Sequence, residues 1–269
     1  MQKTHRSITA PLFILARLVE RLAAYAQGKG YGSSTIKQEN SLVQKLLITT
    51  PELAIDIGGN IGDYTAEIRR RNPHAEIHTF EPSSTNMKKL QARFENDDKV
   101  FVLPFAVSDN VGAATLFSDQ AGSGLGSLTQ RKLDHFNIDF NVQETINTVR
   151  FEDYWRTNLS KRTLDIVKID IEGHELSALK GFGEAIYSSA LIQFEFGGCN
   201  IDTRTYFQDF WYFFKEHNFK LYRITPFGLE HLKNYRESDD YFSTTNYIAV
   251  NQKLIQTNSA HRDNKTVRF

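Results

Sequence analysis

From Leu53 onward, short apolar runs alternate with segments whose apolar residues recur near every 3.6 positions. That is the pattern of parallel strands joined by crossover helices. The first run is Leu53-Ala-Ile-Asp-Ile57, and Ile61, Tyr64, Thr65 and Ile68 mark the helix after it. This helix ends on Arg69, Arg70 and Arg71, which suit the negative helix end, and Pro73 stops it. The second run is Glu76 to Glu81; its helix begins at Ser83 and Ser84 and buries Met87, Leu90 and Phe94. A third run covers Val100 to Val107. Between 108 and 150 the alternation lapses, and Ala113 to Phe117 and Thr148 to Phe151 read as strands around the loop Gly122-Ser-Gly-Leu-Gly-Ser127. An insertion of that length inside an α/β domain serves more often as a functional lid than as scaffold. The alternation resumes with Leu164 to Asp170, a helix on Leu176, Leu179, Phe182 and Ile186, then Leu191 to Phe196 and a helix on Phe207, Phe210, Trp211 and Phe214. Two last strands, Phe219 to Thr225 and Thr245 to Val250, bracket a polar connection.

Ahead of this body, Leu12, Leu15, Leu18, Val19 and Leu22 repeat at helical spacing, with Arg17, Glu20 and Arg21 on the other face. Such a helix is expected to pack on the body or on a partner, a second copy included; peripheral membrane contact is the alternative. Its most apolar stretch, Pro11 to Ala16, stops at Arg17, far short of the ~20 residues that span a bilayer. A Gly/Ser-rich break over 28–34 precedes a second apolar-periodic segment through Leu42, Val43, Leu46 and Leu47. The expected organisation is an N-terminal helical extension over 1–50, one domain over 51–252 and a flexible tail over 253–269.

The 32 basic residues balance 32 acidic ones, which removes the basic footprint of a nucleic-acid binder. The single cysteine, Cys199, excludes an intramolecular disulfide and a cysteine-based zinc site, and points to a cytoplasmic setting. It follows Gly197 and Gly198 and reads as a loop-tip residue.

Open α/β sheets bind ligands outside the carboxyl ends of their strands, which singles out Asp56, Glu81, Lys168, Asp170, Glu172 and Glu195. Asp56-Ile-Gly-Gly-Asn-Ile-Gly62 joins the first strand to a helix. Gly58, Gly59 and Gly62 allow a tight turn and close backbone approach, with Asn60 between them. A dinucleotide fingerprint would need Gly-x-Gly-x-x-Gly; from Gly58 the third position is Asn60 and the sixth is Asp63. That argues against a nicotinamide-dependent oxidoreductase. Glu81, at the end of the second strand, can accept both hydroxyls of a ribose, and Asp56 suits an ammonium. Ser108 and Asp109, at the end of the third run, can approach an adenine, although turn chemistry explains them as well. These features describe a pocket for an adenosyl-amino acid.

Asp56-Ile-Gly-Gly-Asn-Ile-Gly-Asp-Tyr-Thr65, Phe80-Glu-Pro82, Ala106-Val-Ser-Asp109 and Lys168-Ile-Asp-Ile-Glu-Gly-His-Glu175 resemble, in order and spacing, the signature blocks of FkbM-type S-adenosylmethionine-dependent methyltransferases. The resemblance covers about residues 50–250. Gly59 stands where the family often has Ala. The resemblance implies a class I methyltransferase fold, a doubly wound Rossmann-like sheet of seven strands with the last inserted antiparallel. It also implies S-adenosylmethionine as cofactor and O-methylation of a sugar, glycan or small natural product. Asp170, Glu172 and Glu195 would then face the transferred methyl group, with Lys168 holding their charge; the bland alternative is a buried ion pair that fixes strand register. Glu172, Glu175 and His174 are candidate bases, His174 being also a plausible surface cap. No second histidine stands at ligand spacing, so no metal is expected. Sixteen of the 33 aromatic residues fall between Phe194 and Tyr247, and Tyr206, Tyr212 and Phe227 are the ones left for an acceptor platform. A rival from another class is a non-catalytic S-adenosylmethionine-binding module, against which the intact Lys168, Asp170 and Glu172 set argues.

Overall fold

The computed structural model describes residues 9–32, 35–47 and 49–254. Two helices, α1 (Thr9–Ala26) and α2 (Ile36–Leu46), lead into β1 (Leu53–Ile57), α3 (Asp63–Arg71), β2 (Glu76–Phe80), α4 (Ser84–Arg93) and β3 (Val100–Leu103). A side unit follows, made of β4 (Ala106–Val107), β5 (Gly112–Ser118) and β6 (Val142–Val149). The chain then runs through α5 (Phe151–Thr157), β7 (Leu164–Ile169), α6 (Glu175–Gly181), β8 (Ser189–Phe196), α7 (Cys199–Thr203), α8 (Phe207–Glu216), β9 (Phe219–Thr225), β10 (Gly228–Leu232) and β11 (Thr245–Asn251).

The main sheet has eight strands in the order β10-β9-β11-β8-β7-β1-β2-β3. Strands β8, β7, β1, β2 and β3 pair in parallel, and β11 is inserted antiparallel between β9 and β8. This is the expected seven-strand plan with one addition, β10, which pairs antiparallel at the edge, where only a polar connection was expected. The third run also divides: β3 stays in the main sheet, while β4 pairs with β6 in a second sheet, β4-β6-β5.

Strand alternation sends side chains to two cores. Leu53, Ile55 and Ile57 of β1 join Phe151, Leu179, Phe182 and the α8 residues Phe207, Phe210 and Phe214 on one face. Ala54 joins Leu42 and Val43 of α2 and Tyr64 and Ile68 of α3 on the other. Helix α2 is therefore part of the packed body. Helix α1 is not: Leu12, Ile14, Leu15, Leu18 and Leu22 are each more than half exposed, and side-chain burial begins only at Ala24. Of the two seats expected for α1, the body is not used over residues 11–23, which are exposed; a partner remains the other. No helix of the described residues is long and apolar enough to cross a membrane. The tail from 255 onward lies outside the described residues.

Candidate active site

The strand order reverses between β1 and β7, and open α/β sheets bind their ligands in the crevice at such a point. The turn after β1 fills it. The Gly58 and Gly59 N–H groups both donate to the Phe80 carbonyl at 3.0 Å, and Gly62 N–H donates to Gly59 at 2.7 Å. Gly58 and Gly62 take φ of 88° and 87°, the left-handed region that glycine adopts without cost. Asn60 also sits there at 46°, and its N–H donates to Glu81 Oε2 at 2.7 Å. Glu81 Oε1 accepts from Ser83 N–H at 2.9 Å. Burial pushes the Glu81 carboxyl up to about 7, against the pull of these two N–H groups.

Beside this turn lies an open cavity, about 630 Å³ with its mouth included, lined by Gly58, Glu81, Phe105, Val107, Asp170 and His174, among others. Leu116, Ser123, Gly124, Gly126 and Leu128 of the insertion also line it, so the long loop lies over the site as a lid would. Ser127 Oγ donates to the Glu172 carbonyl at 2.8 Å, and Arg131 Nη1 pairs with Glu172 Oε2 at 2.6 Å. Thr129 Oγ1 meets His174 Nε2 at 3.0 Å. Burial holds His174 below its ordinary range, and pushes Glu172 up to about 8 with help from Asp170 and against Arg131.

On the α2 and α3 face, the carboxyl ends of β1, β7 and β8 and the start of β11 carry a polar row. Asp56 is 1% exposed and accepts from Thr65 Oγ1 at 2.6 Å. Burial pushes it up to about 6, with Thr65 and then Lys168 opposing. Lys168 Nζ pairs with Asp170 Oδ2 at 2.8 Å. Burial would lower the lysine, but Asp170, Glu39 and Glu195 together hold it above its ordinary range. A second cleft of about 650 Å³ opens here, lined by Glu39, Asp56, Asp63, Lys168, Asp170 and Asn246, among others. Gly58, Asn60 and Asp170 border both spaces.

Asp170, Glu172 and Glu195 have carboxylate oxygens within 4.8 Å of one another, a donor set that suits a hard cation. Lys168 and Arg131 already pair with two of the three, so the cluster is an ion-pair network as it stands.

Glu175 lies beneath this network with no exposure. Its Oε1 accepts from the Ile171 and Gly173 N–H groups at 2.9 and 3.1 Å, and Oε2 has no partner. Burial pushes the group up to about 7 from 4.5. The stability it contributes is therefore complete below about pH 4.5 and is lost as pH rises through 7. Glu175→Gln removes that loss. The variant is expected to gain up to roughly 3 kcal/mol over wild type at pH 8 and almost nothing at pH 4, measured by urea unfolding.

The structure brings Asp56, Gly58, Asn60, Glu81, Lys168, Asp170, Glu172 and His174 to the two spaces. It places Ser108 and Asp109 elsewhere: neither lines the cavity, and both bond Ser177 Oγ, at 3.1 and 2.6 Å, tying the chain after β4 to α6. Gly62 serves the turn by packing under Leu90 and Phe94, and Gly59 under Thr79 and Leu90, at the edge of the second cleft. Tyr206 and Tyr212 are about half exposed and Phe227 is more so, and none of them lines either space. Cys199 is not at a loop tip; it opens α7 and is 3% exposed. Arg131, Glu39, Tyr64 and Asn246 were not among the sequence candidates. Tyr64 stands in the first signature block without a role of its own, and Glu39 left a trace as a carboxylate one turn ahead of Val43 on the apolar face of α2.

A parallel sheet with a reversed strand inserted beside its edge, and a glycine turn with acidic strand ends at its switch point, define a class I methyltransferase fold. Residues 56–221 match the methyltransferase FkbM domain, and the chain belongs to that family. The 2-O-methyltransferase NoeI of Sinorhizobium fredii is 24% identical over 194 residues, covering 68% of this chain and 78% of that protein. Methyltransferase 1 of Beauveria bassiana is 24% identical over 149 residues, covering 48% and 58%. Among solved structures, the methyltransferase FkbM from Methylobacillus flagellatus is similar with a TM-score of 0.45 and 15% identity, over 88% of this chain and 60% of that one.

Proposed function

We propose that this chain is an S-adenosylmethionine-dependent O-methyltransferase of the cytoplasm, acting on a hydroxyl of a sugar, glycan or small natural product. The observation that carries this reading is the position of Asp170, which borders both the cavity that holds Glu81 and the cleft that holds Lys168. The relationship to a 2-O-methyltransferase supports a hydroxyl acceptor.

The donor set fits the cofactor. Glu81 faces the first cavity and suits the ribose hydroxyls, and Phe105 and Val107 offer an apolar wall to an adenine. When bound, the sulfonium of S-adenosylmethionine supplies an electrophilic methyl group. Asp170 receives the proton of the acceptor hydroxyl and orients its oxygen, and Lys168 keeps Asp170 in place. The latched insertion excludes water from the nucleoside end.

Glu81→Ala removes the acceptor for the ribose hydroxyls, worth ~1.5–3 kcal/mol for a charge-assisted bond. Calorimetry is expected to show S-adenosylmethionine bound at least tenfold more weakly while circular dichroism keeps the wild-type spectrum; unchanged affinity would take Glu81 out of the cofactor site. The reading as a whole is tested by labelled methyl transfer to a panel of hydroxyl- and amine-bearing glycans and metabolites. Tight S-adenosylhomocysteine binding with no turnover on any of them would favour a binding module, and transfer confined to amines would overturn O-methylation.

A further inference from the structure

The structure assigns the second cleft to the amino-acid end of the cofactor, with Glu39 of α2 as the carboxylate that receives its ammonium. This rests on reading the first cavity as the nucleoside site. Glu39 lies outside residues 56–221, which the family domain matches.

The two spaces adjoin, since Gly58, Asn60 and Asp170 border both. A ligand with a nucleoside at one end and an amino acid at the other passes over the Gly58 to Asn60 turn from one to the other. The second cleft is lined by four carboxylates, Glu39, Asp56, Asp63 and Asp170, against one ammonium, Lys168. Three of the four are already engaged. Asp56 takes the Thr65 hydroxyl, Asp63 pairs with Arg93 at 2.7 Å, and Asp170 pairs with Lys168.

Glu39 differs. It is 2% exposed, yet it makes no ion pair among the described residues: its hydrogen-bond partners are neutral, and Lys168, whose ion pair is with Asp170, acts on it only from beyond pairing distance. Gln193 Nε2 donates to Oε2 at 2.6 Å, Asn246 Nδ2 donates to Oε1 at 3.3 Å, and the Thr35 hydroxyl also bonds Oε1. Gln193 is fixed in turn by the Tyr64 hydroxyl at 2.7 Å. A buried carboxylate held by neutral donors at the edge of a cleft is a site for a cation. For the carboxylate of the same amino acid, the cleft offers Lys168, the Asn246 amide and the main-chain N–H groups that open α3. Helix α2 brings Glu39 here because Leu42 and Val43, one turn further on, anchor it in the core.

Calorimetry with three ligands tests this: S-adenosylhomocysteine, its deamino analogue, and 5′-methylthioadenosine, which lacks the amino-acid end. Wild type is expected to bind S-adenosylhomocysteine at least tenfold more tightly than the deamino analogue. In Glu39→Gln that ratio is expected to fall below threefold, with methylthioadenosine affinity within twofold of wild type, which also shows that the variant folds. The ratio in wild type needs no variant, and its absence would overturn the assignment on its own. A ratio kept in Glu39→Gln, or equal weakening of all three ligands, would overturn it too. If wild type bound none of the three, the nucleoside reading itself would fall, and the subsite with it.

Discussion

Asp170→Asn is expected to lower methyl transfer at least a hundredfold while leaving methylthioadenosine affinity within a fewfold of wild type. Proton acceptors in a transfer step contribute about 10²–10⁴ in rate. Asp170 is the carboxylate placed for that work, with 37% of its side chain exposed and a position on both spaces. Glu172 is less suited: Arg131 holds its carboxylate, and its carboxyl is pushed up to about 8. The substitution has a structural cost as well. Lys168 is 4% exposed, and removing its ion-pair partner leaves a buried ammonium offset only by Glu39 and Glu195, which costs up to about 3–5 kcal/mol in comparable pairs. The double variant Lys168→Met with Asp170→Asn separates the two effects. It is expected to recover most of the lost melting temperature and none of the lost rate. Recovery of both would reduce the pair to a device for strand register, and Asp170→Asn with turnover within threefold of wild type would end the assignment.

The parallel half of the sheet was legible because each strand is an apolar run closed by a charged or glycine residue, as in Leu53 to Ile57 before Gly58. The reading failed where one run served two sheets. Val100 to Val107 looks continuous, but Pro104 carries no N–H for the ladder, and the chain leaves the main sheet there. Strand β10 was hidden for another reason. It is an edge strand carrying Glu230 and His231, and one paired flank gives little apolar signal. The site divides in the same way. Asp56, Glu81, Lys168 and Asp170 could be found because strand ends are where such sheets bind ligands. Arg131 and Glu39 could not, since their partners come from tertiary contact alone: Glu39 meets Gln193 across 154 positions of sequence, and Arg131 meets Glu172 across 41.

Gly58→Ala is expected to do the most damage of any single methyl group added to this chain. At φ 88° an alanine is strained by roughly 1–2 kcal/mol. Its Cβ would also press on the main-chain carbonyl oxygen of Asp170, far inside contact distance. Main chain cannot swing aside as a side chain can. Either the turn lifts from Phe80, or β7 moves off β1, breaking the bond from Asp170 N–H to the Ile57 carbonyl at 3.0 Å. Both responses open the switch point where the two spaces meet. Urea unfolding is expected to show a loss of at least about 3 kcal/mol, and calorimetry a loss of S-adenosylhomocysteine affinity of a hundredfold or more. Gly112→Ala is the matched control, because Gly112 also has a positive φ, at 146°, but a Cβ there meets nothing within 4 Å. It is expected to cost about 1 kcal/mol and to leave affinity unchanged. Equal losses in the two variants would mean that backbone strain alone accounts for the effect. Near-wild-type binding by Gly58→Ala would mean that the ligand does not cross this turn at all.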